Sequence, residues 1–246
     1  MKYFNIAGPC NSAKHYMIDA STRLKGVEQL IDTEQYFVIH AARQSGKTTY
    51  LHDLLQRLNA GGKYYSLCCS LETVQGIIDP KDGIPAIIRC IRDWLISKDL
   101  PHNSEFVKDI DYSNFNGALR LSLSQYCKLL DKPFVLLFDE ADCLSEGTLI
   151  TFLRQLRNGY NNRSVCCFVH SIALVGMCNI RDYKAQIRPD SKTLGSSSPF
   201  NIVAESLTLQ NFTKDEIIQL YQQHTDETGQ IFNDDAIELI FEQTQG

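Results

Sequence analysis

The chain has 246 residues, 43% of them hydrophobic and 22% charged, with a formal net charge of -5. That length buries one sizeable core with at most a small appendage. An acidic balance without a lysine or arginine block gives no electrostatic footprint for nucleic acid or an anionic membrane.

In chain order, the first segment, "MKYFNIAGPCNSAKHYM", has no long apolar stretch after Lys2, so it does not read as a secretory signal. "YFVIH" (36–40) is a short apolar run of buried-strand type. "TTYLHDLLQRLNAGG" follows, with Leu51, Leu54, Leu55 and Leu58 at helical spacing and Gly61-Gly62 to stop it. "KYYSLCCSL" (63–71) predicts a second strand, "GIPAIIRCIRDWLISKDL" a helix with Pro85 in its first turn, and "NFNGALRLSLSQYCKLLDKP" another helix. "FVLLFDE" (134–140) predicts a strand apolar on both faces, and "LITFLRQLRNGYNNR" a helix ended by Gly159 and the asparagines. "IALVGM" (172–177) is a further buried strand, 188–200 a polar loop, and "NIVAESLTL" (201–209) the last strand. Two helices close the sequence. Thr213 with Glu216 forms a capping box for the first, and Asn233 or Asp234 starts the second. Strands without alternation, separated by helices, imply a parallel sheet covered on both faces.

No segment reaches the ~18 apolar residues that a membrane helix needs. The nine cysteines show no C-x-x-C and no zinc spacing. They read as reduced, mostly buried thiols, which gives a cytoplasmic expectation.

The chemistry sits at two strand ends. "HAARQSGKTTYL" (40–51) ends as a phosphate-binding loop ends, but Ala41 stands where the pattern G-x-x-x-x-G-K-[ST] has its first glycine. A loop that wraps into a helix N-terminus offers several unpaired N–H groups and the positive end of the helix dipole to phosphate oxygens. Ala42, Arg43, Gln44, Ser45, Gly46, Lys47, Thr48 and Thr49 are therefore the candidate nucleotide-binding residues. Lys47 suits the β- and γ-phosphates and Thr48 suits Mg²⁺. Ala41 reads as a tolerated variant, since a methyl there costs at most about 1–2 kcal/mol even at positive φ.

"PFVLLFDEAD" (133–142) sends a buried strand into two adjacent carboxylates, which is expensive unless something pairs with them. Asp139 with Thr48 is the candidate metal site for Mg²⁺, and Glu140 the candidate general base that polarises water. Asn179 and Arg181, just past the next strand, are candidates for sensing the γ-phosphate, because ligands of open parallel sheets sit outside the carboxyl ends of strands.

With these residues in place, "AARQSGKT", "VLLFDE" and "LVGMCNIRDY" resemble the Walker A, Walker B and sensor-1 segments of prokaryotic AAA-like/STAND-type P-loop ATPases. "FNIAGPCN" and "SLTLQNFTKDEIIQLYQQHTDETGQ" add to the likeness, which covers nearly the whole chain. The resemblance implies an α/β fold, a three-layer α/β/α P-loop NTPase with a parallel sheet in the order 5-1-4-3-2, then the start of a small helical lid. It implies a core over 1–210, with 1–35 near the adenine and Tyr16 or Met17 as candidate pocket walls. The segment 211–246 is then the beginning of a lid, which we expect to be incomplete. It implies Mg²⁺-dependent ATP hydrolysis that drives a conformational switch, with a protein partner or self-association as the output. A nucleotide-gated binding module with little turnover is the alternative.

Two other readings fit less well. Asp139-Glu140-Ala141-Asp142 spells the motif of an RNA helicase superfamily, but Gln44 stands where those enzymes have glycine, and no Ser-Ala-Thr follows. A small-molecule kinase uses the same loop, but Glu140 directly after the metal aspartate suits water activation better than transfer to an alcohol.

Overall fold

The structure is a computed structural model that describes residues 1–6, 8–108, 111–177 and 203–245. Five strands form one sheet: β1 (Tyr36–His40), β2 (Tyr65–Ser70), β3 (Phe134–Asp139), β4 (Ser171–Gly176) and β5 (Val203–Thr208). All pairings are parallel, and the order is β2-β3-β4-β1-β5. Read from the other edge this is 5-1-4-3-2, the order that the resemblance implies.

Successive side chains of a strand face opposite sides of the sheet. Here both sides are dry over β1, β3 and β4, while the edge strand β5 is exposed or half-buried beyond Val203. Val38, Leu136, Phe138, Ile172 and Leu174 enter one core cluster, and Phe37, Ile39, Val135, Leu137, Ala173 and Val175 enter the other. Full burial of such a side chain contributes roughly 1.5–3 kcal/mol, so a strand buried twice needs no polar face. The first cluster is closed by α3 (Pro80–Ser97), α4 (Phe115–Leu129) and α5 (Glu146–Asn161). The second is closed by α1 (Val27–Asp32) and α2 (Lys47–Ala60), which bury Val27, Ile31, Tyr50, Leu51, Leu54 and Leu58. Two further helices, α6 (Lys214–Thr228) and α7 (Asp234–Thr244), follow β5.

The helix starts follow from their caps. Thr213 and Glu216 form the reciprocal capping box at α6, and the Asn233 side chain accepts from the Ala236 amide at α7. Helix α1 has no counterpart in the sequence reading, α5 starts at Glu146, three residues earlier than read, and two further differences have clear causes. Helix α3 starts earlier, where Asp79 accepts from the Lys81 amide and Pro80 takes the first position, so Pro85 lies in the second turn and not the first. Gly159 does not end α5 but lies inside it, where an added Cβ would meet the Phe168 ring at 2.2 Å. The cysteines are also less buried than the sequence implied. Among the eight described, all free, Cys69 and Cys90 are buried and Cys167 is exposed. Strand β2 lies at a sheet edge, and alternation turns Cys68 and Cys69 to opposite faces. Of the sequence expectations, the polar loop at 188–200 lies outside the described residues. Among the described residues, no helix is long and apolar enough to cross a membrane.

Helices α3 and α5 touch at Gly83, where an added Cβ would lie 2.3 Å from the Oγ1 of Thr148, a fully buried side chain. Overpacking costs about 1–3 kcal/mol, while the better helix propensity of alanine returns at most about 1 kcal/mol. Gly83→Ala is therefore expected to lower stability by about 1–2 kcal/mol in urea unfolding. A neutral or stabilised variant would show that the two helices are not held this close.

Candidate functional site

The ends of β1, β3 and β4 meet at a cleft of about 850 Å3 that also takes in residues from the N-terminal segment and α6. Strand β1 runs straight into the loop 41–46 and on into α2. Gly46 adopts φ 86°, a left-handed conformation that glycine reaches without a Cβ penalty, and Gln44 takes φ 61°. Ala41 is not among the residues with positive φ, and its side chain is buried in the second core cluster. Its position does not demand a glycine.

Inside the loop, Lys47 Nζ donates to the carbonyls of Ala41 at 2.9 Å and Ala42 at 2.7 Å. Ser45 Oγ also donates to Ala42, at 2.8 Å. Burial lowers the Lys47 pKa, against the opposing fields of Asp139, Asp142 and Glu140. Arg43 is exposed and reaches the sulfur of Met177 at 3.2 Å. Gln44, Gly46, Lys47, Thr48 and Thr49 line the cleft. Thr49 Oγ1 accepts the Cys10 amide at 3.0 Å, so this hydroxyl holds the N-terminal segment against the loop.

The decisive contact crosses the sheet. Strand β4 lies between β1 and β3, yet Thr48 Oγ1 donates to Asp139 Oδ2 at 3.0 Å. Asp139 is 6% exposed, and it also accepts the Glu140 amide at 3.0 Å. Burial holds its carboxyl above the usual carboxylate range, although the Thr48 hydroxyl, the Glu140 amide and Lys47 favour the charged form. A buried carboxylate and a hydroxyl side by side are hard oxygen donors, and they fit Mg²⁺, which takes few protein ligands and completes its shell with phosphate and water oxygens. Glu140 is exposed, with φ 55°, a conformation unusual outside glycine. Partial desolvation in the cleft raises its carboxyl too, helped by repulsion from Glu72, Asp139 and Asp142. A raised carboxylate is the better base near neutral pH.

The sequence reading missed three groups. Asp142 accepts the Met177 amide at 2.8 Å, and a Cβ on Gly176 would lie 2.6 Å from its carboxyl carbon. The fourth residue of the Asp-Glu-Ala-Asp string thus seats on the end of β4, which glycine keeps low. Glu72 also lines the cleft. Arg23, from a short turn before α1, donates to the Ser45 carbonyl at 3.1 Å. No sequence motif marks Arg23, and nothing in the sequence reading pointed towards it. Tyr16 and Met17 do line the cleft, with Phe4. The Tyr16 hydroxyl donates to Glu227 of α6 at 2.7 Å, and burial with that carboxylate pushes its pKa up to about 12. Met17 exchanges two hydrogen bonds with the Gln223 side chain. Asn179 and Arg181 lie outside the described residues.

No family model matches the chain, and no curated protein matches it. Among solved structures, the chain is similar to the Aeropyrum pernix Orc1 protein in complex with DNA, at 16% identity over 84% of this chain and 49% of that one, with a TM-score of 0.49. It is similar to a chain of the E. coli MS115-1 HORMA:CdnC:Trip13 complex, at 15% identity over 89% of this chain and 63% of that one, TM-score 0.49. It is also similar to Cdc6p from Pyrobaculum aerophilum, at 15% identity over 85% of this chain and 51% of that one, TM-score 0.47. The chain therefore spans about half the length of the Orc1 and Cdc6p chains. Identities this low leave the chemistry of this chain to its own residues.

Because burial raises the Asp139 carboxyl, the folded chain holds that proton more tightly than the unfolded chain. The group's contribution to stability is greatest below the usual carboxylate range and falls as pH rises through the raised pKa. Asp139→Asn is thus expected to raise the melting temperature of the nucleotide-free protein at pH 7 by a few degrees. It should also remove any stabilisation by Mg²⁺ with nucleotide. A lower melting temperature would mean that Asp139 serves the fold and not a ligand.

Proposed function

We propose that this chain is an AAA-like P-loop ATPase domain that binds ATP with Mg²⁺ and hydrolyses it to drive a conformational switch. The observation that carries the reading is the Thr48–Asp139 contact, with Glu140 next in the chain, at the mouth of the loop 41–48.

In this reading the main-chain N–H groups of Ala42 to Thr48 bind the phosphates, and Lys47 turns from the loop carbonyls towards the β- and γ-phosphates. Thr48 and Asp139 hold Mg²⁺. The ion, when bound, withdraws charge from the phosphate oxygens and fixes their orientation. Glu140 orients a water and takes its proton, for which its raised pKa suits it. Asp142 holds the end of β4 against the turn that carries Glu140. Thr49 acts through Cys10, and Arg43, Gln44 and Ser45 shape the loop. Arg181 stays in the proposal as the γ-phosphate sensor on the strength of the sequence alone.

The switch is read from the contacts of Tyr16 and Met17, which line the cleft, with Glu227 and Gln223 of α6. Those contacts also favour the second reading, in which occupancy of the cleft by ATP is itself the signal and turnover is slow. In either case the moving helices offer the output to a protein partner or a second copy of the chain.

The test is phosphate release from ATP, with nucleotide binding measured on each variant. Glu140→Gln is expected to bind ATP normally and to lose about 10²-fold or more in kcat, the scale of a general base. Lys47→Ala is expected to bind ATP weakly. Binding without release in the wild type would select the nucleotide-gated reading. No binding at all would overturn both.

A further inference from the structure

Arg23 ends the short turn Ala20–Arg23, which Asp19 caps by accepting the Ser21 amide. Only 8% of the residue is exposed. Its hydrogen-bond partners among the described residues are main-chain carbonyls. Nη2 donates to Ser45 O at 3.1 Å, Nε donates to Gln210 O at 3.1 Å, and Nη2 also reaches Gln210 O. The guanidinium carbon stacks 4.1 Å from the centre of the Phe212 ring. Ser45 belongs to the loop between β1 and α2, while Gln210 and Phe212 belong to the link between β5 and α6. A single planar fork thus clamps two segments from opposite ends of the chain, as a lysine ammonium would not.

Among the described residues no carboxylate forms an ion pair with Arg23, and burial without one is a costly way to hold a cation. Glu216 acts on Arg23 only through its field. The arrangement has a geometric consequence. The Ser45–Gly46 peptide is planar and trans, so its N–H points opposite to its C=O. With Ser45 O fixed on Arg23, the Gly46 N–H is turned away from Arg23. A Cβ on Gly46 would lie 3.4 Å from Arg23 Nη1, so the loop passes the guanidinium at van der Waals distance.

We propose that Arg23 is a positioning residue that couples the shape of the phosphate loop to the docking of α6 and α7. In its ligand the inference rests on the proposed ATP site; the coupling between the two segments does not. Linkage is reciprocal, so whatever orders the loop also orders 210–213, and loosening the link loosens the loop.

The test is amide hydrogen exchange on the full chain, with and without ATP and Mg²⁺, for the wild type and Arg23→Met. Without nucleotide, the variant is expected to exchange about tenfold faster in both 42–48 and 210–214, as for loss of a hydrogen bond to a charged group. With nucleotide, the wild type should slow in both segments and the variant in the loop alone. In steady state, KM for ATP should rise about tenfold while kcat changes less than about threefold, which marks lost positioning of the bound ligand. If Arg23→Met fails to fold, Phe212→Leu, which removes only the stacking, should give the same paired acceleration at smaller size. An acceleration confined to one of the two segments, in either variant, overturns the coupling. If the wild type binds no ATP, the ATPase reading fails, and the nucleotide-free comparison still decides the coupling.

Discussion

Everything at the mouth of this molecule depends on reaching across one strand. The loop leaves β1, the carboxylates leave β3, and β4 stands between them. For Thr48 and Asp139 to meet at 3.0 Å, the end of β4 must stay low. Gly176 achieves this, and the space that its missing side chain leaves is taken by the Asp142 carboxyl. One sheet order, one glycine and one aspartate together set the distance between the hydroxyl and the carboxylate. The loop and the acidic turn are therefore parts of a single construction.

The energetic logic of the core and of the cleft is opposed. Strands that bury both faces gain apolar area on each, and they leave Asp139 at the dry end of β3, where a hydroxyl, an amide and the field of Lys47 only partly offset its burial. The protein accepts strain and desolvation there: a buried carboxylate with a raised pKa, a glutamate at φ 55° and a glutamine at φ 61°. Such features persist only where the surrounding structure over-determines them. Here the two core clusters, one on each face of the sheet, do so.

The sequence made the frame legible because its signals are local. Apolar runs without alternation marked the three central strands, β1, β3 and β4, and caps marked the starts of α6 and α7. Gly-Lys-Thr after a strand and Asp-Glu at the end of another gave the two halves of the cleft. What it concealed is of another kind. Gly159 reads as a helix end by composition, but its role is close packing against Phe168, a contact that appears only in three dimensions. The Asp142 seat on β4 needs the sheet order before it has meaning. Arg23 answers carbonyl groups, and main-chain carbonyls leave no trace in a sequence.

The bond from Tyr16 to Glu227 spans 211 positions, and that from Met17 to Gln223 spans 206. Contacts of such high sequence separation are the slowest to form, since the loop they close must be ordered first. The segment that walls one side of the cleft rests on the loop through the Cys10–Thr49 bond, but its bonds from Tyr16 and Met17 form only once α6 is in place. The five-stranded sheet can assemble ahead of it. A chain halted before residue 223 therefore carries the loop and the acidic turn, while Tyr16 and Met17 lack their partners on α6.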